Sequence, residues 1–114
     1  MDQLPFPEII KSLPQLTDLV AAEQPDSRQI VYHLETDKVD IYYATYEAGI
    51  TTDFHSHTTD NFGVVTEGGF TLIMDGQEQS FGVGDWYYIP ANKMHAARFD
   101  EDTVDVEFRL KENN

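Results

Sequence analysis

Apolar and polar residues alternate with a period of two along much of this chain. In "VDIYYATYEAG", Val39, Ile41, Tyr43 and Thr45 fall on one face of an extended chain, and Asp40, Tyr42, Ala44 and Tyr46 on the other. The stretch "TVDVEFRL" alternates more cleanly. It predicts a strand with Val104, Val106, Phe108 and Leu110 turned inward and Thr103, Asp105, Glu107 and Arg109 turned outward. Turn signals recur at short intervals: "ETDK", "EAG", "EGG", "MDGQ", "GVGD", "IPANK" and "FDED". Asp75-Gly76, between "FTLIM" and "QEQSF", predicts a hairpin, because a type I′ turn needs positive φ at both central positions. Short strands punctuated this often, without helical crossovers, predict an all-β antiparallel sandwich or barrel.

The first 24 residues follow a different period. Ile9, Ile10, Leu13, Leu16, Leu19 and Val20 recur at roughly helical intervals, with Pro7 suited to a first turn and Pro14 splitting the segment. The expected organisation is a short N-terminal helical arm over 1–24 and one barrel domain over 25–114.

Composition narrows the partners. The chain carries 7 Lys and Arg against 21 Asp and Glu, a net charge of −14. Such a surface repels phosphate backbones and anionic lipids, so neither nucleic acid nor membrane is expected as a partner. There is no cysteine, which excludes disulfides and thiolate metal sites. The opening "MDQLPFPEII" has no basic start and no long apolar run, so a secretory signal is not expected and a cytoplasmic location is.

The chemistry concentrates in "DFHSHTTDNFG". On an extended chain His55 and His57 point to one face and can converge on a single ion. Imidazole suits a divalent transition metal such as Zn, Mn, Fe or Ni. A third histidine, His95, follows a glycine turn, a strand and a proline turn in "GVGDWYYIPANKMHAARF".

With His95 in place, the spacing resembles the two motifs of the cupin superfamily. The first, G(x)5HxH(x)3E(x)6G, runs here from Gly49 through His55, His57 and Asn61 to Gly68. The second, G(x)5PxG(x)2H(x)3N, runs from Gly84 through Pro90, Asn92 and His95 to Phe99. The resemblance covers roughly residues 30–110. It implies a double-stranded β-helix, or jelly roll, with His55, His57 and His95 holding one metal inside the barrel mouth. It also implies a small-molecule ligand and a homodimer.

Three positions depart from the motifs. Asn92 replaces a turn glycine, and asparagine tolerates the left-handed conformation required there. Phe99 replaces an asparagine and reads as wall packing. Asn61 replaces the acidic ligand; its amide is neutral and a methylene shorter, leaving three imidazoles plus solvent. Asn61 is a candidate fourth metal ligand, the alternatives being a hydrogen bond to a bound molecule or to the backbone.

The catalytic group is open. Tyr43 or Tyr46 would serve as an acid or hydrogen-bond donor if either lines the pocket. Asp60 would serve as a ligand if a bulge turned it inward, and Arg98 would hold a carboxylate if it tilted inward. By alternation from His95, Arg98 points outward. Three functions fit these residues: isomerisation or rearrangement of a sugar acid or keto acid, non-catalytic binding of a small molecule, and Fe(II)-dependent dioxygenation.

Overall fold

The computed structural model describes Ile9, Ser12, Leu13 and residues 29–111. The predicted arm, apart from those three residues, and the boundary at residue 25 lie outside the described residues. Eight antiparallel strands follow: β1 (Gln29–Glu35), β2 (Val39–Tyr46), β3 (Asn61–Glu67), β4 (Gly69–Met74), β5 (Gln77–Gly82), β6 (Trp86–Ile89), β7 (His95–Arg98) and β8 (Thr103–Leu110). They build two sheets, one ordered β1-β2-β8-β3-β6 and one ordered β5-β4-β7, as the alternating pattern predicts for an all-β jelly roll. Among the described residues no helix is long and apolar enough to cross a membrane.

The turn chemistry follows the sequence closely. Asp75 and Gly76 have φ of 57° and 73°, joining β4 to β5 through the predicted positive-φ pair, and Asn92 sits at φ 66°. Between the sheets lies an apolar core that includes Val31, Ala44, Ile50, Val65, Phe70 and Leu72. Phe99 is buried in it and stacks on Tyr46, with ring centroids 4.1 Å apart. The wall role expected for Phe99 is therefore what the structure shows.

Val104 is fully buried as expected, but from Asp105 to Arg109 the orientation of β8 reverses the sequence expectation. Its register sets Ala44 beside Asp105, Tyr42 and Gly63 beside Glu107, and Asn61 beside Arg109. Cross-strand partners share a face, so Asp105, Glu107 and Arg109 point between the sheets. Asp105 is 2% exposed and Glu107 8%. Val106 and Phe108 instead share the outer face with Ile41, Tyr43, Phe62 and Val64. Trp86 also lies on that face, 61% exposed, with its ring over Phe108 at 6.0 Å. Alternation sorts residues into two faces without saying which is inside.

Candidate metal centre

The histidines are brought together by backbone pairing. After β2 the chain runs antiparallel to β7: Gly49 N donates to Phe99 O, Thr52 N to Ala97 O, and His55 and His95 exchange both backbone hydrogen bonds at 2.9 Å. His55 thus lies directly across from His95, and His57, two residues on, follows on the same side. The carbonyl of His57 accepts from Asn92 N at 2.6 Å, tying the loop to the positive-φ turn before β7.

One ring nitrogen from each of His55, His57 and His95 lies within 4.8 Å of the others. Two rings are oriented from behind. His55 Nδ1 lies 2.7 Å from Asp53 O, and His95 Nδ1 lies 2.9 Å from Lys93 O. A carbonyl accepts only, so each Nδ1 carries the proton and each Nε2 keeps its lone pair. Burial, the Arg109 guanidinium and the two neighbouring imidazoles pull the His57 pKa from 6.5 down to about 3. Burial also lowers that of His95, against the opposing pull of the Lys93 carbonyl. His57 and His95 are thus neutral imidazoles at ordinary pH, the form a metal ion requires of its ligands.

The rings line a cavity of about 50 Å³ that also takes in Asn61, Glu107 and Arg109, with Tyr46, Tyr87 and Asp105 among its other walls. Asn61 is 2% exposed. Its Nδ2 donates to Glu107 Oε1 at 3.0 Å, and its Oδ1 has no hydrogen-bond partner among the described residues. Tyr46 Oη donates to Glu107 Oε2, also at 3.0 Å. The Arg109 guanidinium lies 4.6 Å above the Tyr42 ring and 3.9 Å from Glu107. Three imidazoles and a buried carbonyl oxygen lacking a donor form a coherent donor set for a divalent transition ion.

The remaining candidates sit elsewhere. Tyr43 is on the outer face, opposite Val106, whereas Tyr46 lines the cavity. Asp60 precedes inward-facing Asn61 and points the other way; its Oδ1 accepts from Ala91 N and Tyr88 Oη, at 2.9 and 3.2 Å. Arg98 is outside, paired with Glu78 at 3.1 Å and Asp100 at 3.5 Å. The arginine in the cavity is Arg109. Sequence reasoning missed Asp105, Glu107 and Arg109 because their charge marked the face as solvated. The available signal was that all three share one parity of a single strand.

Asp105 has its own chemistry. Tyr87 Oη donates to Asp105 Oδ2 at 2.5 Å, and Oδ1 has no hydrogen-bond partner among the described residues. Burial, then the Glu107 charge, push the Asp105 pKa well above its usual 3.8. The folded chain therefore keeps a proton that the unfolded chain releases, and this residue's contribution to stability is lost as pH rises above about 4. Asp105→Asn, which keeps an acceptor for Tyr87, should match the natural protein in stability near pH 4 and exceed it near pH 8. Urea unfolding at the two pH values tests this, and an equal loss at both would contradict a protonated Asp105.

An antiparallel two-sheet barrel with three converging histidines defines the class as a jelly roll carrying a histidine triad. The family model for the cupin domain matches residues 42–110, and the chain belongs to this family. It is 34% identical over 87 residues to quercetin 2,3-dioxygenase of Bacillus subtilis (strain 168), covering 75% of this chain but only 23% of that protein. An RmlC-like cupin from Shewanella frigidimarina superposes with a TM-score of 0.74 at 16% identity, covering 100% of this chain and 95% of that one. A cupin superfamily protein from Desulfitobacterium hafniense gives a TM-score of 0.71 at 20% identity, over 90% of this chain and 98% of the other.

Proposed function

We propose that this cupin is a metal-dependent enzyme acting on a small carboxylate-bearing metabolite, a sugar acid or keto acid, by isomerisation or rearrangement. The observation that carries the reading is the histidine triad sharing a cavity with the Arg109 guanidinium. His55, His57 and His95 would hold Zn, Mn, Fe or Ni, with Asn61 Oδ1 as a fourth donor. The ion, when bound, supplies Lewis acidity toward a carbonyl or hydroxyl oxygen. Arg109 offers the fork geometry that matches a carboxylate. Asp105, protonated and bonded to Tyr87, holds a proton at the cavity wall.

The test is a thermal-shift screen of metal-loaded protein against sugar acids and keto acids, followed by turnover assays of each hit. Arg109→Met should weaken binding of the acids by about tenfold or more while sparing their neutral analogues. Equal loss for both classes would remove Arg109 from carboxylate recognition. Binding without product would favour a non-catalytic module instead.

The resemblance to quercetin 2,3-dioxygenase favours a second reading, Fe(II)-dependent dioxygenation. Oxygen uptake by the iron-loaded protein in the presence of quercetin would support it. For assembly we propose a homodimer through the outer face bearing Trp86, Phe62 and Tyr88, since exposed aromatic patches of this kind mark protein contacts. Sedimentation should give twice the 13.0 kDa chain mass, and Trp86→Lys should give the single mass.

A further inference from the structure

The first cupin motif ordinarily puts a carboxylate where this chain has Asn61. The structure holds a carboxylate one strand away. Glu107, on β8, sits beside Gly63 of β3, two residues beyond Asn61, and its side chain reaches back to the amide. Its two oxygens have separate partners: Oε1 accepts from Asn61 Nδ2 and Oε2 from Tyr46 Oη, each at 3.0 Å. Tyr46 is itself fixed by its stack on Phe99, the residue that replaces the last asparagine of the second motif. These departures from the family pattern thus meet in one chain of contacts, Phe99 stacked on Tyr46 and Tyr46 and Asn61 hydrogen-bonded to Glu107.

A carboxylate accepts hydrogen bonds and does not donate them. Of the two ends of the Asn61 amide, only the NH₂ can face Glu107. The carbonyl Oδ1 is therefore the end left over, and it is the atom found buried without a hydrogen-bond partner among the described residues. An amide nitrogen has no lone pair to offer a cation, so the orientation decides whether Asn61 is a ligand at all. The same hydrogen bond draws electron density toward Oδ1 and sets a negative charge behind it, as second-layer carboxylates do behind other metal ligands.

We infer that Glu107 is the positioning residue of the metal centre, turning the Asn61 carbonyl toward the ion and supplying from β8 the negative charge that the first motif lacks. The inference rests on the reading of His55, His57 and His95 as metal ligands.

The test compares Zn(II) affinity by chelator competition, and the visible absorption of the Co(II)-loaded protein, across three proteins made without a metal-binding tag. In Glu107→Gln the new amide can present its own NH₂ to Asn61 and reverse it. Zn(II) binding should weaken by about 10- to 100-fold and the Co(II) spectrum should change. In the double variant Asn61→Asp with Glu107→Gln, the carboxylate moves to position 61 and the glutamine NH₂ holds it from behind. This variant should recover most of the lost affinity. Thermal unfolding of the metal-free proteins accompanies both measurements, since a purely structural Glu107 would change the unfolding temperature and leave Zn(II) affinity alone. If Glu107→Gln binds Zn(II) as tightly as the natural protein, with the same Co(II) spectrum, the positioning role is overturned while the metal reading stands. A natural protein that binds neither ion removes both.

Discussion

Replacing His57 with alanine should cost the protein its metal while leaving the barrel folded. Untagged natural protein should carry close to one transition ion per chain by elemental analysis, and His57→Ala should carry almost none after the same dialysis. Removing an outer-layer partner of a metal ligand typically costs 10- to 100-fold in affinity, and losing one of three imidazoles should cost more than about 100-fold. The fold should survive because His57 is on a loop and half-buried. The hydrogen bond that ties this loop to Asn92 uses the backbone carbonyl of residue 57, which alanine retains. Below about pH 6.5 the metal-free variant should even gain slightly in stability over the metal-free natural protein. It loses an imidazole held neutral by burial and by the positive charge of Arg109, an arrangement that disfavours the folded state as pH falls from 6.5 towards 3. Unchanged metal content in the variant would remove His57 from the site, and a natural protein that resists loading with Zn, Mn, Fe or Ni would end the metal reading altogether.

Spacing is what made the site legible in the sequence. Two histidines at i and i+2 need only an extended backbone to converge, and a third after a glycine and a proline turn needs only the strand between them to be short. The Asp75-Gly76 hairpin and the Asn92 turn were equally readable, because positive φ is a local steric demand that few residues meet. Facing was not legible. "TVDVEFRL" divides into two sets of residues, and the apolar set was assigned to the interior. In the structure the interior of this barrel is where the polar work is done, while Val106 and Phe108 join an apolar outer surface. That single inversion hides Glu107, Asp105 and Arg109 from the sequence, which leaves Arg98, three residues after His95, as the arginine it offers near the histidines. The same parity separates Tyr46, in the cavity, from Tyr43, three residues earlier and outside it. Once Tyr46 is known to bond Glu107, the facing of β2 and β8 follows together, but that bond joins residues 61 apart in the chain. Only tertiary structure supplies it.

Gly63→Ala should destabilise the protein by about 3 kcal/mol, a large effect for one added methyl group. The cause is not backbone conformation, because Gly63 is absent from the positive-φ glycines. It is space. A Cβ at residue 63 would fall 2.1 Å from Cζ and 2.2 Å from Oη of Tyr87. The tip of a tyrosine ring would swing aside cheaply on a surface, but this ring is buried and cannot. It sits edge-on to Phe70 at 5.1 Å and to Phe81 at 5.7 Å, and its hydroxyl is bonded to buried Asp105 at 2.5 Å. Overpacking typically costs about 1–3 kcal/mol, and leaving a buried polar group without its partner costs a similar amount again. The two penalties overlap, because moving the ring relieves the first by incurring the second. For a domain of this size about 3 kcal/mol corresponds to a fall of roughly 10–20 °C in unfolding temperature. Thermal unfolding of Gly63→Ala alone and in a Tyr87→Leu background forms a double-mutant cycle that isolates the clash. With the ring gone, the added methyl should cost much less than it does in the natural protein. An equal cost in both backgrounds would mean that something other than Tyr87 keeps position 63 a glycine. Tyr87 lines the same cavity as His55, His57 and His95 and donates to Asp105, so the absence of a side chain at Gly63 is what lets this hydrogen-bonded pair sit against the histidine triad.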